Sequence, residues 1–416
     1  MGLSKRFEPW QRLTIEWRAR IGDAPVLVGF SGGLDSHVLL HFLVEAGFTV
    51  SAVYVHHGLH ADADDWQQHC IAVAEQLGVV CHSRAVHVEH SSAEGVEARA
   101  RRRRYQVFDE MMDAGGYLAT GHHADDQLET VLLQLFRGSG VAGLAAMPAA
   151  HSRSRGTHIR PLLACSRADL IAYAQRHQLR WIDDSSNQDM RFDRNFLRHQ
   201  VLPALIHRWP AIRTTVARSA QHCADAAVAL QAVAQQDIES YYQHLGPLPL
   251  APLMALPDER RVHALRYWLK QVAGVIPSQA QLQQLIACLM GARMDAQPQL
   301  SLDRFVLRRY QGCLYVLPRG DTPPVWQPQS WSMDRPLLLV GTTACITPEV
   351  ARQYGVSYSD QGNPLTVCTR KDAPNLAVLK KKFQQARIPP WERAYTPLIY
   401  QAGQLRAIVP WAACLC

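Results

Sequence analysis

The stretch that decides the fold reads Val26-Leu27-Val28-Gly29-Phe30-Ser31-Gly32-Gly33-Leu34-Asp35-Ser36. It begins as a short buried strand, turns through a serine and two glycines, and continues at once into a helical pattern. Glycine permits a tight turn, so successive backbone N–H groups and the positive end of the helix can surround phosphate oxygens. The stretch therefore predicts a phosphate-binding loop between a strand and a helix.

The loop lacks the Lys-Ser/Thr pair with which Walker-type loops reach a γ-phosphate. This difference suggests that the loop holds a departing pyrophosphate and leaves the α-phosphate of a nucleotide open to attack. A plainer alternative is a glycine-rich turn in which Ser36 caps the helix and no ligand binds.

Short apolar runs alternate with helical patterns over the first 150 residues, which is typical of βα units around a parallel sheet. The expected strands are 25–30, 49–55, 79–86 and 117–120, and the expected helices are 36–45, 65–77, 94–112 and 125–136. This order predicts a doubly wound α/β domain that binds its ligand at the carboxyl ends of the strands.

The amino-acid composition changes after about residue 210, where a long Ala- and Gln-rich run predicts a helix between domains. Helical stretches at 257–272 and 278–290 precede a β-like pair at 300–317, and the proline-rich segment 320–328 resembles a linker. We expect three domains: 1–215, a nucleotide-binding catalytic domain; 216–320, mostly helical; and 330–416, a small α+β unit.

Composition narrows the class of protein. The 416 residues carry 43 Lys and Arg against 36 Asp and Glu, and the segment 151–218 alone holds 12 Arg and 5 Asp, a local excess of 12 − 5 = +7. Such a face attracts phosphate backbones, although a solvated surface would have the same composition. Ten scattered cysteines without CxxC spacing disfavour zinc and iron–sulfur sites, and with no apolar leader they favour reduced thiols in a cytoplasm.

A second polar cluster follows the fourth expected strand, in His122-His123-Ala124-Asp125-Asp126-Gln127-Leu128-Glu129. Asp126 and Glu129 are three residues apart and share a helix face, which we expect to be exposed, while the stripe Leu128, Val131, Leu132 and Leu135 is expected to be buried. Two exposed carboxylates suit an ammonium ligand or magnesium. Acidic residues also favour a helix's first turn for its dipole alone, and Asp125 would then be a simple cap.

The motif Ser31-Gly32-Gly33-Leu34-Asp35-Ser36 resembles the signature of the PP-loop ATP pyrophosphatases, which have an adenine nucleotide alpha hydrolase-like fold. Further motifs in the same order resemble the tRNA(Ile)-lysidine synthetases. They are His56-His57-Gly58-Leu59, Glu97-Ala98-Arg99-Ala100-Arg101, the acidic cluster followed by Phe136-Arg137-Gly138-Ser139-Gly140, and Asp193-Arg194-Asn195-Phe196-Leu197-Arg198.

The resemblance implies a role for each matching residue. The loop residues Ser31, Gly32, Gly33, Leu34 and Ser36, together with His57, would bind ATP. Asp35 and Asp125 would lie at Mg²⁺, Asp126 and Glu129 would recognise the lysine ammonium, and Arg101 and Arg194 would lie near the activated base and its phosphate. Within the arginine run 101–104, Arg102 and Arg103 are expected at the surface.

The reaction implied by the resemblance adenylates the C2 oxygen of the wobble cytidine of a tRNA(Ile) with a CAU anticodon. The ε-amine of free L-lysine then displaces AMP. A tRNA base thiolase with the same loop is the alternative enzyme, although such enzymes usually carry paired cysteines. A non-catalytic RNA-binding protein would leave the loop unexplained.

The terminal segment contains Lys380-Lys381-Lys382-Phe383, a basic helical pattern that ends at Pro389-Pro390. It resembles the C-terminal domain of the longer lysidine synthetases, which implies contact with tRNA phosphates. A plain surface helix is the alternative.

Overall fold

The computed structural model describes residues 8–58, 60–87, 96–184, 188–240, 242, 247–290, 298–320, 324–356 and 364–414. They form two compact units, one up to Ala229 and one from Leu230 onward. The boundary lies inside one long helix, so the expected division into three domains stays a prediction.

The first unit is built around a six-stranded sheet with helices between the strands. In chain order its elements are α1 (Glu8–Ile21), β1 (Val26–Gly29), α2 (Leu34–Glu45), β2 (Val50–His56), α3 (Ala63–Gln76), β3 (Val80–Ala85), α4 (Val96–Met111), β4 (Gly116–Ala119), α5 (Ala124–Phe136), α6 (Val141–Leu144), β5 (Ala150–Ser152), β6 (Gly156–Ile159), α7 (Arg167–Arg176), α8 (Asp193–Phe196), a π-helical turn (Leu197–Val201), α9 (Leu202–Arg208) and α10 (Ile212–Glu239).

The sheet has the strand order β3-β2-β1-β4-β6-β5, and every neighbouring pair is parallel except β5 with β6. The chain passes from β1 outward to β3 and then returns to place β4 on the other side of β1. Strands β1 and β4 therefore flank the topological switch point, where ligands of open α/β sheets bind. This arrangement confirms the doubly wound parallel sheet.

Helices cover both faces of the sheet because the side chains of β1 alternate between two apolar cores. Val26 and Val28 pack in a core with residues of α1, α2 and α7, whereas Leu27 packs on the opposite face with Val107 and Phe108 of α4. A strand that is buried on both faces has an almost continuous apolar sequence, which is why β1 was recognisable.

The second unit continues from α10 with β7 (Leu248–Pro249), α11 (Leu250–Ala255), α12 (Asp258–Ala273), α13 (Gln279–Met290), β8 (Gln299–Leu302), β9 (Phe305–Tyr310), β10 (Cys313–Pro318), β11 (Gln329–Trp331), β12 (Leu337–Leu338), β13 (Cys345–Ile346), α14 (Pro348–Gln353), β14 (Leu365–Cys368), α15 (Leu376–Gln385), β15 (Leu398–Gln401) and β16 (Gln404–Ile408). It holds two antiparallel four-stranded sheets, β7-β10-β9-β8 and β11-β14-β15-β16.

Most of the expected elements are present, with small shifts at their ends. The β-like pair at 300–317 is instead three strands, β8 to β10, because both turns between them are tight enough to continue the pairing. The antiparallel strand β5 was not predicted, since three half-exposed residues leave no apolar pattern.

The cysteines agree with the expectation of reduced thiols at eight positions in the described residues, where they are free. Cys345 differs because it is disulfide-bonded. Spacing along the chain does not predict such a bond, because a disulfide depends on distance in space. None of the described helices combines the length and the apolar character needed to cross a membrane.

Candidate active site

The loop between β1 and α2 is held by its own serines. The Ser36 hydroxyl donates to the Gly33 carbonyl at 3.0 Å and accepts from the Ser31 backbone N–H at 3.2 Å, and the two serine hydroxyls are 3.1 Å apart. No side chain caps α2, whose N-cap is Gly33. The first N–H groups of a buried helix thus face the loop, which is an arrangement that suits an anion.

The two loop glycines differ in what they permit. Gly32 has φ +78° and a Cβ there would lie 2.5 Å from the Ile182 side chain, so the fold itself requires glycine. Gly33 has φ −74°, and its nearest neighbour would be the Ser31 hydroxyl at 3.7 Å. A side chain at Gly33 is therefore sterically compatible with the fold itself.

The segment that follows β4 packs closely against the first turn of α2, next to the loop. A Cβ on Gly121, which follows β4, would lie 2.7 Å from the Asp35 backbone carbonyl, so only glycine allows the two chain segments to meet. Sequence reasoning missed this residue because the close approach joins segments that are distant in the chain. It brings the start of α5 against the first turn of α2.

The remaining residues expected at ATP lie around this edge. Leu34 is buried in the core below the loop. His57 follows β2, and burial together with the charges of Arg104 and His56 lowers its pKa to about 4. A neutral imidazole beside the neighbouring strand end suits the uncharged adenine ring better than a phosphate. Leu59 of the same motif lies outside the described residues.

The acidic face of α5 was expected to be exposed, and this was wrong. Asp126 and Glu129 are 6% and 0% exposed, while Leu135 of the stripe expected to be buried is 53% exposed. Leu128 is buried as expected. The helix turns its carboxylates inward because two arginines from α8 and the π-helical turn approach that face.

Those arginines form a paired cluster with the carboxylates, called the acid–arginine cluster below and consisting of Asp126, Glu129, Arg194 and Arg198. Arg194 donates to both carboxylates at 2.7 Å. Arg198 donates from Nε to Glu129 at 2.7 Å, and from its terminal nitrogen to Asp126 and Glu129 at 3.0 Å. Such multidentate pairs fix the orientation of both partners.

Arg198 was not assigned a role from the sequence, although a signal was available. It lies four residues after Arg194, and residues at that spacing share one helix face. Arg194 was expected near the activated base, and it is bonded to the two carboxylates here. The π-helical turn that carries Arg198 is a rare conformation that is frequent at functional sites.

His123 joins the cluster to the phosphate loop. Its buried Nε2 lies 3.6 Å from Asp35 and 3.5 Å from Asp126, and its Nδ1 accepts from the Asp125 backbone N–H at 3.2 Å. Burial lowers its pKa, but its contact with Asp35 and the charges of Asp126 and Asp125 outweigh burial and raise it. His123 is also the N-cap of α5, because its Nδ1 accepts from the Asp125 N–H while its own N–H donates to the Asp126 carboxylate.

Asp125 and Asp35 have different environments. The Asp125 carboxylate accepts from Arg213 Nε at 2.6 Å and from the Arg167 backbone N–H at 2.8 Å, so both oxygens have donors. Asp35 Oδ1 is buried without a hydrogen bond, and the Arg167 guanidinium lies 3.6 Å from it. These contacts argue against the metal role expected for Asp125 and leave Asp35 available to a divalent cation beside phosphate.

The arginine run lies on the exposed side of α4, where Arg101, Arg102 and Arg103 are all exposed. The guanidinium of Arg101 lies over the ring of Tyr105, 5.1 Å from its centroid. Tyr105 belongs to the same helix, so the expectation that Arg101 lies near the activated base stays a prediction. Arg103 donates to Gln106 on its own helix.

Three family models match separate parts of the chain. Residues 10–205 match a family model described as a PP-loop domain, residues 248–315 one described as a TilS substrate binding domain, and residues 373–413 one described as a TilS substrate C-terminal domain. The curated tRNA(Ile)-lysidine synthase of Pectobacterium atrosepticum is 41% identical over 93% of this chain and 90% of its own. That of Coxiella burnetii is 36% identical over 93% and 89%.

Proposed function

The chain belongs to the tRNA(Ile)-lysidine synthase family and is an ATP-using enzyme of tRNA modification, and from this premise we propose its reaction in detail. The wobble cytidine of a tRNA(Ile) with a CAU anticodon attacks the α-phosphate of ATP through its C2 oxygen, and pyrophosphate leaves. The ε-amine of free L-lysine then displaces AMP. The thiolase alternative is not favoured, since the relatives match along nearly the whole chain.

One observation carries this proposal: the phosphate loop and the acid–arginine cluster lie at the two strand ends that flank the switch point, joined by His123. An adenylating enzyme needs an anion site for pyrophosphate beside a second site for the amine that attacks next. Reaction within one site avoids the cost of bringing the adenylated base to a second place.

The loop residues Ser31, Gly32, Gly33 and Ser36 would hold the pyrophosphate, and Asp35 would hold Mg²⁺. The buried, unbonded Oδ1 of Asp35 fits a hard cation, which prefers carboxylate oxygen. When bound, the cation neutralises charge that develops on the leaving pyrophosphate. The side chain of His57 would contact the adenine end of the nucleotide.

The acid–arginine cluster would change partners during the cycle. Arg194 is the more exposed of its two arginines, with 39% of its side chain accessible. We propose that Arg194 turns toward the phosphate of the adenylated base, beside Arg101, and that the lysine ammonium replaces it at Asp126 and Glu129. The exchange keeps two positive groups on the carboxylates, so neither buried charge is left unpaired.

His123 links the two steps by its contacts with Asp35 and Asp126. Its ring lies between the loop carboxylate and the cluster carboxylate, and would hold them at a fixed separation. We further propose that the enzyme acts in the cytoplasm, where tRNA and free lysine are available.

The test uses a tRNA(Ile) transcript with a CAU anticodon and ATP labelled at the α-phosphate. Without lysine we expect the label to remain on the RNA as an adenylated intermediate. Addition of lysine releases labelled AMP, and one lysine enters each RNA. Incorporation of cysteine sulfur instead of lysine, or AMP formation without tRNA, would contradict the proposal.

A further inference from the structure

A chain of hydrogen bonds runs along the carboxyl ends of β4 and β6, outside the contacts used so far. The Thr120 hydroxyl lies 2.7 Å from His122 Nδ1 and 2.8 Å from His158 Nε2. On the far side, His158 Nδ1 faces a terminal nitrogen of Arg160 at 3.4 Å. The four residues connect a buried cation to an imidazole that borders the active site.

Arg160 fixes the first proton in this chain. Its side chain is buried and donates to the Pro148 carbonyl at 2.6 Å, and no carboxylate within the described residues lies at ion-pair distance from it. A guanidinium has only N–H donors and stays protonated. Because a donor faces His158 Nδ1, that nitrogen presents its lone pair, and the ring proton of His158 is on Nε2.

The remaining positions follow from hydrogen-bond counting. His158 Nε2–H donates to the Thr120 hydroxyl oxygen. Among the described residues the only other partner of that hydroxyl is His122 Nδ1, so its hydrogen is bonded only if it is directed to His122 Nδ1, which then accepts it. His122 therefore carries its proton on Nε2. A tautomer is normally set in this way by the bond that the other ring nitrogen makes.

His122 is held neutral as well as in one tautomer. Burial, together with the charges of Arg160, Arg101 and Arg194, lowers its pKa to about 3 despite the nearby Asp126. His122 directly precedes His123, whose ring lies 3.5 Å from Asp126 of the acid–arginine cluster. Among the described residues, none forms a hydrogen bond with His122 Nε2. His122 thus presents one uncharged N–H donor to the site.

We propose that the Nε2–H of His122 selects cytosine over uracil by donating to N3 of the target base, an inference that rests on the proposed function. Cytosine N3 carries a lone pair, whereas uracil N3 carries a hydrogen. Two facing N–H donors repel, and neither finds a partner in a buried site. The C2 oxygen next to N3 stays open for attack on the α-phosphate.

His122 is the specificity-determining residue in this scheme, and Thr120, His158 and Arg160 are positioning residues. A histidine free to exchange tautomers would accept from uracil N3–H as readily as it donates to cytosine N3. Discrimination therefore depends on the chain of bonds behind the ring as well as on the ring itself.

The test compares two transcripts that differ only in cytidine or uridine at the wobble position. Thr120→Val removes the hydroxyl with little change of shape, and Thr120→Ser keeps it as the matched control. The measurement is the rate of RNA adenylation from α-labelled ATP without lysine. We expect Thr120→Val to reduce the cytidine-to-uridine preference about five- to a hundredfold, while Thr120→Ser retains it.

His122→Gln supplies a second route if Thr120→Val does not fold, because a carboxamide offers either a donor or an acceptor to the base. It should lose the same preference. An unchanged preference in either folded variant would overturn the proposal. Imidazole nitrogen NMR adds a direct readout: the wild-type His122 should show a protonated Nε2, and Thr120→Val a mixture of tautomers.

Failure of the proposed function would look different. In that case the wild-type enzyme would not adenylate the cytidine transcript at all. Wild-type adenylation of the cytidine transcript, together with a base preference that does not change in the Thr120 and His122 variants, would support the proposed reaction. It would exclude the role of His122 in base selection.

Discussion

The acid–arginine cluster in the first unit and the basic helix α15 in the second unit both use charge, but in opposite ways. In the cluster, two buried carboxylates are bonded to two arginines at 2.7–3.0 Å. On α15, Lys380 and Lys381 are exposed and Lys382 is half-buried. Breaking a buried ion pair costs much free energy, because the remaining charge is left without a partner. Each exposed charge contributes little by itself, so its effect depends on how many such charges act together.

Within the first unit, we expect the largest loss of activity from changes in the phosphate loop, to which His123 joins the acid–arginine cluster. Gly33→Val should fold, since a Cβ there has its nearest neighbour at 3.7 Å, but it should block the approach of phosphate. Asp35→Asn should remove the cation ligand. We expect tRNA-dependent AMP formation to fall about a hundred- to a thousandfold in each, measured by release of labelled AMP.

Gly140→Val is the matched control for Gly33→Val, because Gly140 has a similar φ of −76° and no atom within 4 Å of a Cβ. Its AMP formation should stay near the wild-type rate. Near wild-type activity in a folded Gly33→Val protein would contradict the assignment of the loop.

The second prediction concerns the stability of the cluster. Glu129→Gln leaves two guanidiniums without their buried carboxylate, and the free energy of unfolding should drop by about 2–4 kcal/mol, measured by urea denaturation. Glu349→Gln is the control, because that residue is exposed and its pair with Arg352, at 3.8 Å, is exposed as well. Equal stability of the two variants would show that the cluster contributes no more than a surface pair.

The third prediction tests a half-buried carboxyl group in the second unit, Glu392, for which the described residues provide no arginine pair like that of the cluster. Burial raises its pKa from 4.5 to about 7. The folded state therefore binds the proton more tightly, and stability should fall as pH rises from about 4.5 to about 7, by about 2 kcal/mol. Glu392→Gln should flatten this decline in chemical denaturation at several pH values. A decline that persists in the variant would assign it to other groups.

The smallest effect is expected at α15. Replacing Lys380, Lys381 and Lys382 by Ala should weaken tRNA binding and reduce the slope of log K against log salt by about 0.7–0.9 for each phosphate group that the variant no longer binds. Filter binding at several salt concentrations measures it. If the affinity for tRNA and the slope both stay unchanged, α15 does not bind tRNA. Its charges would then have no function to compare with that of the cluster.

The sequence predicted the structure best where a feature depends on the type of one residue or on a pattern over a few neighbouring residues. The loop glycines and the apolar strand β1 depend on backbone freedom or periodicity over a few residues. The helix α15, by contrast, ends at Gln385 and not at the predicted Pro389-Pro390. The exposed face assigned to α5 was wrong for a complementary reason. Its carboxylates are buried because arginines about 65 residues later in the chain approach them, and no local pattern records that approach.

By itself the sequence determined the doubly wound fold, the phosphate loop and the kind of reaction, because each depends on short motifs in a set order. Only the tertiary structure decided which charges are partners: Arg194 and Arg198 with Asp126 and Glu129, Arg213 with Asp125, and Arg160 with two imidazoles. The physical reason is that hydrogen bonds and ion pairs depend on a few ångströms of distance, which folding sets between residues far apart in the chain.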